Sequence, residues 1–498
     1  MSFVSTASVV YKLRMKGYMG LPHAIFERYG SLSMLVFCAA LIYRLYNEVW
    51  SNAMVVSSFF SDEPHSADWW WSAIISTLVP LIYVLMGGLK SSLYSDVLQA
   101  VMFIGGLIIV LINVSVKHSE NDVLVDFLKA NHTSDSFFTY NPVATDPSPD
   151  GTQFEARNPL TLEGGMDLLL TGALQGLLSY PFFDPVLTDR AFLAHPRTMA
   201  RSLAFGGLVA GIFIVLFSII GVYGSMLGKC VEADVCGVAD LGGTWVQTFA
   251  GNSTHPVDGY YAGAGTLAGV KGGTPAEVAK TMGDGMFNLL FVVMSTSSIS
   301  TLDSTFTSTA KLCGPDIAGF FSSGKPVPLS QATEKHMLIG RIAMVALAFI
   351  GTLPLLMDVS ELNATTVSGT VVMGLGGPVV LMAYTEGWKK GQKRPLAFLV
   401  PFLSCAAIGI CYTLTGVKNR DGELEYDWMN INFSQLTMGD GSYGKLLGVN
   451  VTGAVMSLGL YFVFANNDWC FGHDFDEEEE DGKYELVRLK EEEVEKVV

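Results

Sequence analysis

Residues 294–316, MSTSSISTLDSTFTSTAKLCGPD, follow an apolar run and carry a hydroxyl group at almost every other position. On a helix of 3.6 residues per turn, several of these hydroxyls share one face, and a carboxylate lies at its edge. That face consists of Ser297, Ser300, Thr301, Ser304 and Ser308, with Asp303 at the edge. Sodium and other hard cations are bound by such oxygen ligands. Small hydroxyl residues also let membrane helices pack closely, so the stretch alone leaves both roles open.

The composition places this helix in a membrane. Of the 498 residues, 50% are hydrophobic and only 15% are charged, which is far below the charge content of a soluble domain. Ten stretches are apolar enough and long enough to span a bilayer of about 30 Å. They are residues 31–59, 71–87, 91–114, 166–184, 202–227, 285–310, 337–356, 364–388, 396–417 and 446–465. We therefore predict an all-α polytopic membrane protein.

Lysines, arginines and glycosylation sequons predict the orientation of the chain. With the first segment in the cytoplasm, the short inner connections carry Lys and Arg residues, as the positive-inside rule requires. The outer loops then contain the sequons at Asn131, Asn252, Asn363 and Asn432, and two more, at Asn113 and Asn450, lie at outer membrane edges. The same loops contain Cys230 and Cys236, which form a candidate disulfide. We expect a plasma-membrane protein with a cytoplasmic C-terminus.

Two further stretches combine carboxylates with helix breakers. In residues 87–99, GGLKSSLYSDVLQ, a glycine pair ends one span and Asp96 opens the next. That carboxylate either has a cationic partner in the membrane or stabilises a helix start. In residues 180–190, YPFFDPVLTDR, two prolines interrupt a helix near Asp184 and Asp189. Such a break either lines a cavity at membrane depth or marks a helix end before a loop.

A polar group also lies in the middle of the first full span. It consists of Arg44, Asn47 and Glu48, and Asn52 follows one turn beyond. The arginine and the glutamate are four residues apart, so they can neutralise each other on one helix face. Ionisable residues inside a membrane usually face the interior of the bundle, which favours a cavity-facing group.

These stretches together resemble the sodium/solute symporter family, which includes sodium-coupled carriers of proline, sugars and sialic acid. GGLKSSLYSDVLQ is similar, without a gap, to the family signature GGL-x5-[ST]D-x2-Q. Ser300, Thr301 and Asp316 keep the family's spacing of a hydroxyl pair followed sixteen residues later by an aspartate. YPFFDPVLTDRAFLA, which includes Arg190, is similar to the family's broken helix. The resemblance covers about residues 10–465 and implies a LeuT-like inverted-repeat bundle, with 31–114 as a remnant of the first repeat and 166–388 as the second.

The resemblance implies two ion positions. The common sodium site would use the hydroxyls of Ser300 and Thr301 and the backbone carbonyl of Ser297. A second cation position, found in some members, would use Asp96, Ser300, Asp303 and Ser304. Asp303 stands where the family usually has a hydroxyl. A second carboxylate either strengthens the cation site or holds a proton, so two sodium ions, or one sodium ion and one proton, are both open.

The chain departs from the family at its start, where family members have about two and a half additional helices. We expect residues 1–30 to be the end of a truncated helix plus a cytoplasmic loop, with the first core helix missing, and residues 31–466 to form the transmembrane symporter domain. Residues 467–498 would be an acidic cytoplasmic tail. Its last 25 residues hold 12 acidic and 4 basic residues of the total net charge of −17. So many like charges predict disorder, and the terminal Val498 could bind a cytoplasmic partner.

The function implied is sodium-coupled symport of a small polar organic solute by alternating access. The expected partners are sodium, the solute and the lipid bilayer, and we expect neither nucleic-acid binding nor enzyme activity. The alternative is a non-transporting membrane sensor or regulatory subunit. The residues expected to line the solute cavity are Glu48, Asn52, Gln175, Tyr180, Phe183 and Asp184. Their carboxylates favour a solute with an amine or several hydroxyls over a simple anion.

Overall fold

A computed structural model describes residues 1–61, 65–121, 166–233, 282–356, 368–385, 393–414 and 444–466, together with residues 279 and 436. Regular secondary structure in these ranges is helical. The α-helices are α1 (Ser2–Met15), α2 (Leu21–Tyr29), α3 (Ser31–Phe60), α4 (Ala67–Asn121), α5 (Met166–Leu178), α6 (Tyr180–Phe183), α7 (Pro185–Leu193), α8 (Pro196–Ala233), α9 (Asp284–Lys311), α10 (Gly319–Ser323), α11 (Glu334–Ile350), α12 (Leu381–Tyr384), α13 (Leu396–Leu414) and α14 (Gly444–Asn466). Two π-helical segments, Leu312–Ala318 and Gly376–Val380, follow α9 and precede α12. Short 3-10 turns lie at Leu329–Gln331, Leu353–Leu356 and Val372–Leu375.

Eight helical stretches of the described residues are long and apolar enough to cross a membrane. They are Ser31–Ser57, Ala67–Gly87, Tyr94–Val116, Pro196–Ile220, Asp284–Ser323, Glu334–Leu356, Leu396–Thr413 and Gly444–Ala465. Two shorter apolar helices, Met166–Leu178 and Ser368–Tyr384, correspond to the remaining predicted spans. The prediction of an all-α polytopic membrane protein is confirmed, and each of the ten predicted spans has a helical counterpart.

The long helix α4 contains two of these spans and bends between them. Its backbone is helical from Ala67 to Asn121, yet Tyr83 and Ser95 both donate hydrogen bonds to the same carboxylate oxygen, Oδ2 of Asp303. In a straight helix, two residues twelve positions apart are separated by about 18 Å. A tyrosine and a serine side chain cannot span that distance together. The helix axis therefore changes direction between them, in the interval that contains the predicted glycine pair, and glycine is a common cause of such bends.

The predicted broken helix is present as α5, α6 and α7. Helix α5 ends at Leu178, and Ser179 has the non-helical dihedral angles φ −123° and ψ −64°. Asp184 is extended and caps α7, because its Oδ1 accepts hydrogen bonds from the backbone N–H groups of Val186 at 3.0 Å and Leu187 at 3.4 Å. Pro185 occupies the first position of α7, where a missing N–H costs nothing. The sequence Asp-Pro thus ends one helical segment and starts the next.

The first thirty residues belong to the main hydrophobic core. Helix α1 buries Val9, Val10 and Leu13 in the same cluster as residues of α3, α7, α9 and α13. The buried Tyr29, at the end of α2, donates a hydrogen bond of 2.7 Å to the carbonyl oxygen of Pro378. Gly30 joins α2 to α3 with φ at +94°, a conformation that favours glycine. The predicted inner loop therefore contains a short helix packed into the bundle.

Some predictions fall on parts of the chain that the structure does not describe. The sequons at Asn131, Asn252, Asn363 and Asn432, Cys236, and the tail 467–498 lie outside the described residues, and so does the side chain of Cys230. Asn450 is described, and it is fully buried within α14. A buried asparagine inside a helix is not accessible to a glycan, so Asn450 is not a glycosylation site in this structure, and its position at an outer membrane edge stays a prediction.

Two glycines allow a close crossing between the π segment after α9 and helix α11. A Cβ atom at Gly314 would lie 2.4 Å from the carbonyl oxygen of His336, and one at Gly340 would lie 2.5 Å from the carbonyl oxygen of Ala310. Carbonyl oxygens in a helix cannot turn aside as a side chain can. Glycine at both positions is therefore a condition of this packing.

We expect Gly340→Ala to lower the free energy of unfolding by about 1–3 kcal/mol, because the added methyl group forces α9 and α11 apart. The measurement is unfolding of the purified protein in detergent by titration with sodium dodecyl sulfate. Gly211→Ala in α8 is the matched control, since a Cβ there meets no atom within 4 Å. Equal midpoints for the two variants would show that the crossing does not require glycine.

Candidate functional site

The carboxylate of Asp303 is the centre of a buried group of hydroxyls. Its side chain is fully buried, with 0% exposure. Oδ1 accepts hydrogen bonds from Ser92 at 2.5 Å and Ser304 at 3.1 Å, and Oδ2 accepts from Tyr83 and Ser95. Three of these donors come from α4, on both sides of its bend. The predicted oxygen face of α9 therefore packs against α4 and joins the two arms of that helix.

A second carboxylate, Asp96, lies beside this group and binds an arginine. Ser300 donates a hydrogen bond of 2.6 Å to Asp96 Oδ1, and Arg190 Nη1 of α7 forms an ion pair with Asp96 Oδ2. The other guanidinium nitrogen, Nη2, donates to Ser92 at 3.0 Å and also to Ser304. The structure thus brings together the predicted second cation ligands, Asp96, Ser300, Asp303 and Ser304. It places the Arg190 guanidinium against two of them, Asp96 and Ser304, and against Ser92.

The ligands expected for the common sodium site lie next to one another on α9. Thr301 Oγ1 donates a hydrogen bond of 3.0 Å to the carbonyl oxygen of Ser297, and Gln99 of α4 donates one of 2.9 Å to Ser297 Oγ. On the neighbouring face, Ser298 donates to the carbonyl oxygen of Asn52 at 3.0 Å, which connects α9 to α3. The same i to i−4 bond occurs at Thr305, Thr307 and Thr309, so the hydroxyl of Thr301 makes the usual back-bond of this helix.

Arg44 in α3 organises a second polar cluster. Its guanidinium forms an ion pair with Glu48 and donates a hydrogen bond of 2.7 Å to Tyr180 Oη. The distance from Arg44 Nη2 to Asp184 Oδ2 is 3.9 Å, and the guanidinium lies 5.3 Å from the centre of the Tyr180 ring. One arginine thus connects α3 to both sides of the break between α6 and α7. The Asp184 that caps α7 also faces this cation.

The cluster around Arg44 also contains hydrogen-bond donors and acceptors that a ligand could contact. Asn52 Nδ2 donates to Glu48 Oε2 at 2.9 Å. In the part of the chain that the structure describes, two buried nitrogen atoms of α3, Arg44 Nε and Asn47 Nδ2, have no hydrogen-bond partner. Buried polar groups are rarely left unpaired. These two donors, three residues apart on one helix face, can therefore donate hydrogen bonds to a polar ligand.

Two residues predicted to line the solute cavity lie elsewhere. Gln175 donates hydrogen bonds to Thr370 Oγ1 at 3.2 Å and to Asn450 Oδ1 at 3.1 Å, so it faces α14 and the helix 368–384. Phe183 is fully buried within the main hydrophobic core. The structure brings Glu48, Asn52, Tyr180 and Asp184 together near Arg44, and it does not bring Gln175 or Phe183 to that cluster.

A buried ion triad lies where α9 continues into its π segment. Lys311 Nζ is 2.7 Å from Asp189 Oδ1 in α7 and 3.0 Å from Asp316 Oδ2. The three side chains are between 7% and 18% exposed. Asp316, the aspartate of the predicted spacing, lies in the π segment after α9. It and Asp189 of α7 thus bind the same cation, Lys311.

Sequence reasoning missed several members of these clusters. Ser92 and Ser95 lie one turn and one residue before Asp96, within the signature segment, so their helical spacing was a usable signal. Tyr83 and Arg190 belong to other segments, and their contacts with Asp303 and Asp96 arise from the bend in α4 and the break before α7. Lys311 lies inside the hydroxyl-rich stretch 294–316, and no role was predicted for it. Contacts between segments so far apart in sequence have no local signal.

A groove of about 550 Å³ lies away from these clusters. It is lined by residues of α10, the following turn and the start of α11, including Ser322, Lys325 and His336. The candidate ion and solute residues are not among its lining residues. This groove is therefore separate from the two polar clusters.

The interrupted helices and the buried polar clusters between them define a membrane protein of the LeuT-like fold. A solved structure described as the substrate-bound outward-open state of a Na+-coupled sialic acid symporter superposes with a TM-score of 0.54, over 93% of this chain and 84% of that chain, at 13% identity. The model of the sodium:solute symporter family matches residues 1–249, half of the chain. The chain belongs to this family.

Curated relatives are transport proteins at low identity. The sodium/myo-inositol cotransporters of Bos taurus and Homo sapiens are each 24% identical, over 354 and 353 residues, and each match covers 69% of this chain. Sodium/glucose cotransporter 4 of Danio rerio is 23% identical over 343 residues, or 66% of this chain. The chain spans about half the length of these relatives, with 46% of each covered.

We expect Lys311→Met to lower the free energy of unfolding by about 3–5 kcal/mol, because it leaves the buried carboxylates of Asp189 and Asp316 without a cation. Titration with sodium dodecyl sulfate measures the loss. A triple variant that also carries Asp189→Asn and Asp316→Asn should recover most of it, since the uncompensated charge is gone.

The matched control for this charge removal is Arg341→Met, which removes an exposed cation from α11. Its expected effect is within about 0.5 kcal/mol of wild type. The ion triad would be energetically unimportant if Lys311→Met and Arg341→Met gave the same midpoint.

Proposed function

We propose that this chain performs sodium-coupled symport of a small solute rich in hydroxyl groups. The observation that supports this most directly is the pairing of two buried polar clusters across one broken helix. One cluster, on the hydroxyl face of α9 beside Asp96 and Asp303, contains the proposed sodium ligands, and the other, around Arg44, offers donors and acceptors to a solute. Carriers with discontinuous helices bind ions and solutes at such breaks near mid-membrane. Membership in the sodium:solute symporter family supports the same function.

The proposed sodium ligands are the hydroxyls of Ser300 and Thr301 and the carbonyl of Ser297. These oxygen donors suit a hard monovalent cation. The support for these ligands is membership in the sodium:solute symporter family, whose spacing of a hydroxyl pair and an aspartate is kept by Ser300, Thr301 and Asp316. Asp96, Asp303 and Ser304 form the proposed second position.

The proposed solute class follows from the mixture of groups around Arg44. Glu48 and Asp184 supply acceptors, and Arg44 Nε and Asn47 Nδ2 supply donors. A hydroxyl group donates and accepts, so a polyol or sugar can satisfy both kinds of group at once. The two carboxylates outnumber the one guanidinium, which disfavours an anionic solute. The curated relatives named for myo-inositol and glucose support the same class.

We also propose that the protein lies in the plasma membrane with its acidic C-terminal tail in the cytoplasm. The inner lysines and arginines and the sequons at Asn131, Asn252, Asn363 and Asn432 support this orientation. An epitope placed after Val498 should bind antibody only in permeabilised cells. Treatment with an endoglycosidase should remove glycans and lower the apparent mass of the protein on a denaturing gel. Antibody binding to intact cells would reverse the proposed topology.

Uptake by proteoliposomes that contain the purified chain tests the function. An inward sodium gradient should drive accumulation of labelled myo-inositol or glucose, and labelled pyruvate should not accumulate. Ser300→Ala combined with Thr301→Ala removes two ligands, each contributing about 1.5–3 kcal/mol to a charged partner. The sodium concentration for half-maximal uptake should rise at least about tenfold.

Thr296→Ala is the control, because its exposed hydroxyl donates back to the carbonyl oxygen of Val292 on the same helix. It should leave the sodium requirement within about twofold of wild type, since it removes a local hydrogen bond and a long 3.9 Å contact with Met102 Sδ but no proposed ligand. An equal sodium requirement in wild type and in the double variant would refute the assigned ligands. Solute binding without accumulation would support a sensor or regulatory subunit instead of a carrier.

A further inference from the structure

The Arg190 guanidinium lies in an oxygen-lined position between α4 and α9. Nη1 pairs with Asp96 Oδ2, and Nη2 donates to Ser92 Oγ and Ser304 Oγ. Ser300 Oγ, on the opposite side of Asp96, is 2.6 Å from Oδ1. One carboxylate and two hydroxyls from two helices thus contact a single positive group, and a third hydroxyl, that of Ser300, contacts the same carboxylate.

The same oxygens are the ligand types that a sodium ion uses. A guanidinium and a free cation cannot occupy them together, because both need the lone pairs of Asp96 and Ser304 and their positive charges repel each other. The difference between them is that the guanidinium is covalently attached to α7. It is present at the site whatever the sodium concentration.

The neighbouring carboxylate of Asp303 explains why one cation is required here. Asp303 and Asp96 are connected through Ser92 and Ser304, which contact both Asp303 and the guanidinium. Two carboxylates this close, on apolar helices, are costly without a positive charge beside them. The hydroxyls reduce that cost without supplying charge, so the guanidinium is the charge that compensates the pair.

We infer that Arg190 acts as a tethered cation that fills the second ion position of this chain, so that Asp96 binds the guanidinium in place of a free sodium ion. The inference builds on the proposed ion ligands, but it concerns which cation Asp96 holds and does not require transport. It also bears on the stoichiometries that the sequence left open, because a position filled by Arg190 does not take up a second sodium ion. The partly exposed side chain of Arg190, at 32%, shows that α7 carries this cation at the edge of the cluster and not deep within it.

Equilibrium binding of 22Na+ to the purified full chain in lipid nanodiscs tests this directly. At saturating sodium, Arg190→Gln should bind one more ion per chain than wild type, because the vacated oxygens and the uncompensated carboxylates attract a free cation. Arg190→Gln combined with Asp96→Asn should lose that additional ion. Arg190→Lys keeps a tethered charge and should bind the wild-type number. Arg201→Gln, which removes an exposed arginine from α8, controls for loss of positive charge in general.

Equal sodium numbers in wild type and Arg190→Gln would overturn the inference. A second variant keeps it testable if Arg190→Gln does not fold: Asp96→Asn alone should bind as many sodium ions as wild type, and the loss of one ion would show that Asp96 holds free sodium. The proposed function fails by a different result, the absence of any bound sodium in wild type. The role of Arg190 is decided by the difference in bound sodium ions per chain between wild type and Arg190→Gln, whatever number wild type binds.

Discussion

A carboxylate inside an apolar helical bundle requires a cation or several hydrogen-bond donors beside it, and this requirement determines how α7 is held in the structure. Asp96 binds Arg190, and Asp189 and Asp316 bind Lys311. The two ion pairs of α7 have partners on different helices, since Asp96 belongs to α4 and Lys311 to the end of α9. The position of α7 is therefore set by charge compensation on two sides, in addition to the hydrophobic core that it shares with α1 and α9.

The hydroxyl groups of α9 have a separate role from the cations. Ser300 and Ser304 orient the carboxylates and the guanidinium, and Asp303 draws donors from both arms of α4. A helix with hydroxyls on several faces can contact α3 through Ser298 and α4 through Ser300 at the same time. Close packing, to which Ser298 and Ser300 contribute, therefore does not exclude the proposed ion binding, since the same helix presents other hydroxyls such as that of Thr301.

Local pattern predicted most of the helices and several pieces of the site. Hydrophobic length predicted the spans, and the prolines around Asp184 predicted the break, because both depend only on residues close in sequence. Helical spacing also grouped Ser300 with Ser304 and Arg44 with Glu48. The identity of the partners across helices could not be predicted in this way. Whether Gln175 faces a cavity or Asn450 depends on the rotation of α5 against α14, and Arg190 meets Asp96 only once α4 bends.

The two halves of the broken helix are held by contacts of different kinds. Neutral groups hold α5: Gln175 bonds Thr370 and Asn450, and Ser179 donates to the carbonyl oxygen of Gly369 at 3.1 Å. Ion pairs hold α7. The joint at residues 179–184 is therefore asymmetric: the contacts of α5 do not depend on ionisation, whereas those of α7 require Asp96, Asp189 and Asp316 to be charged.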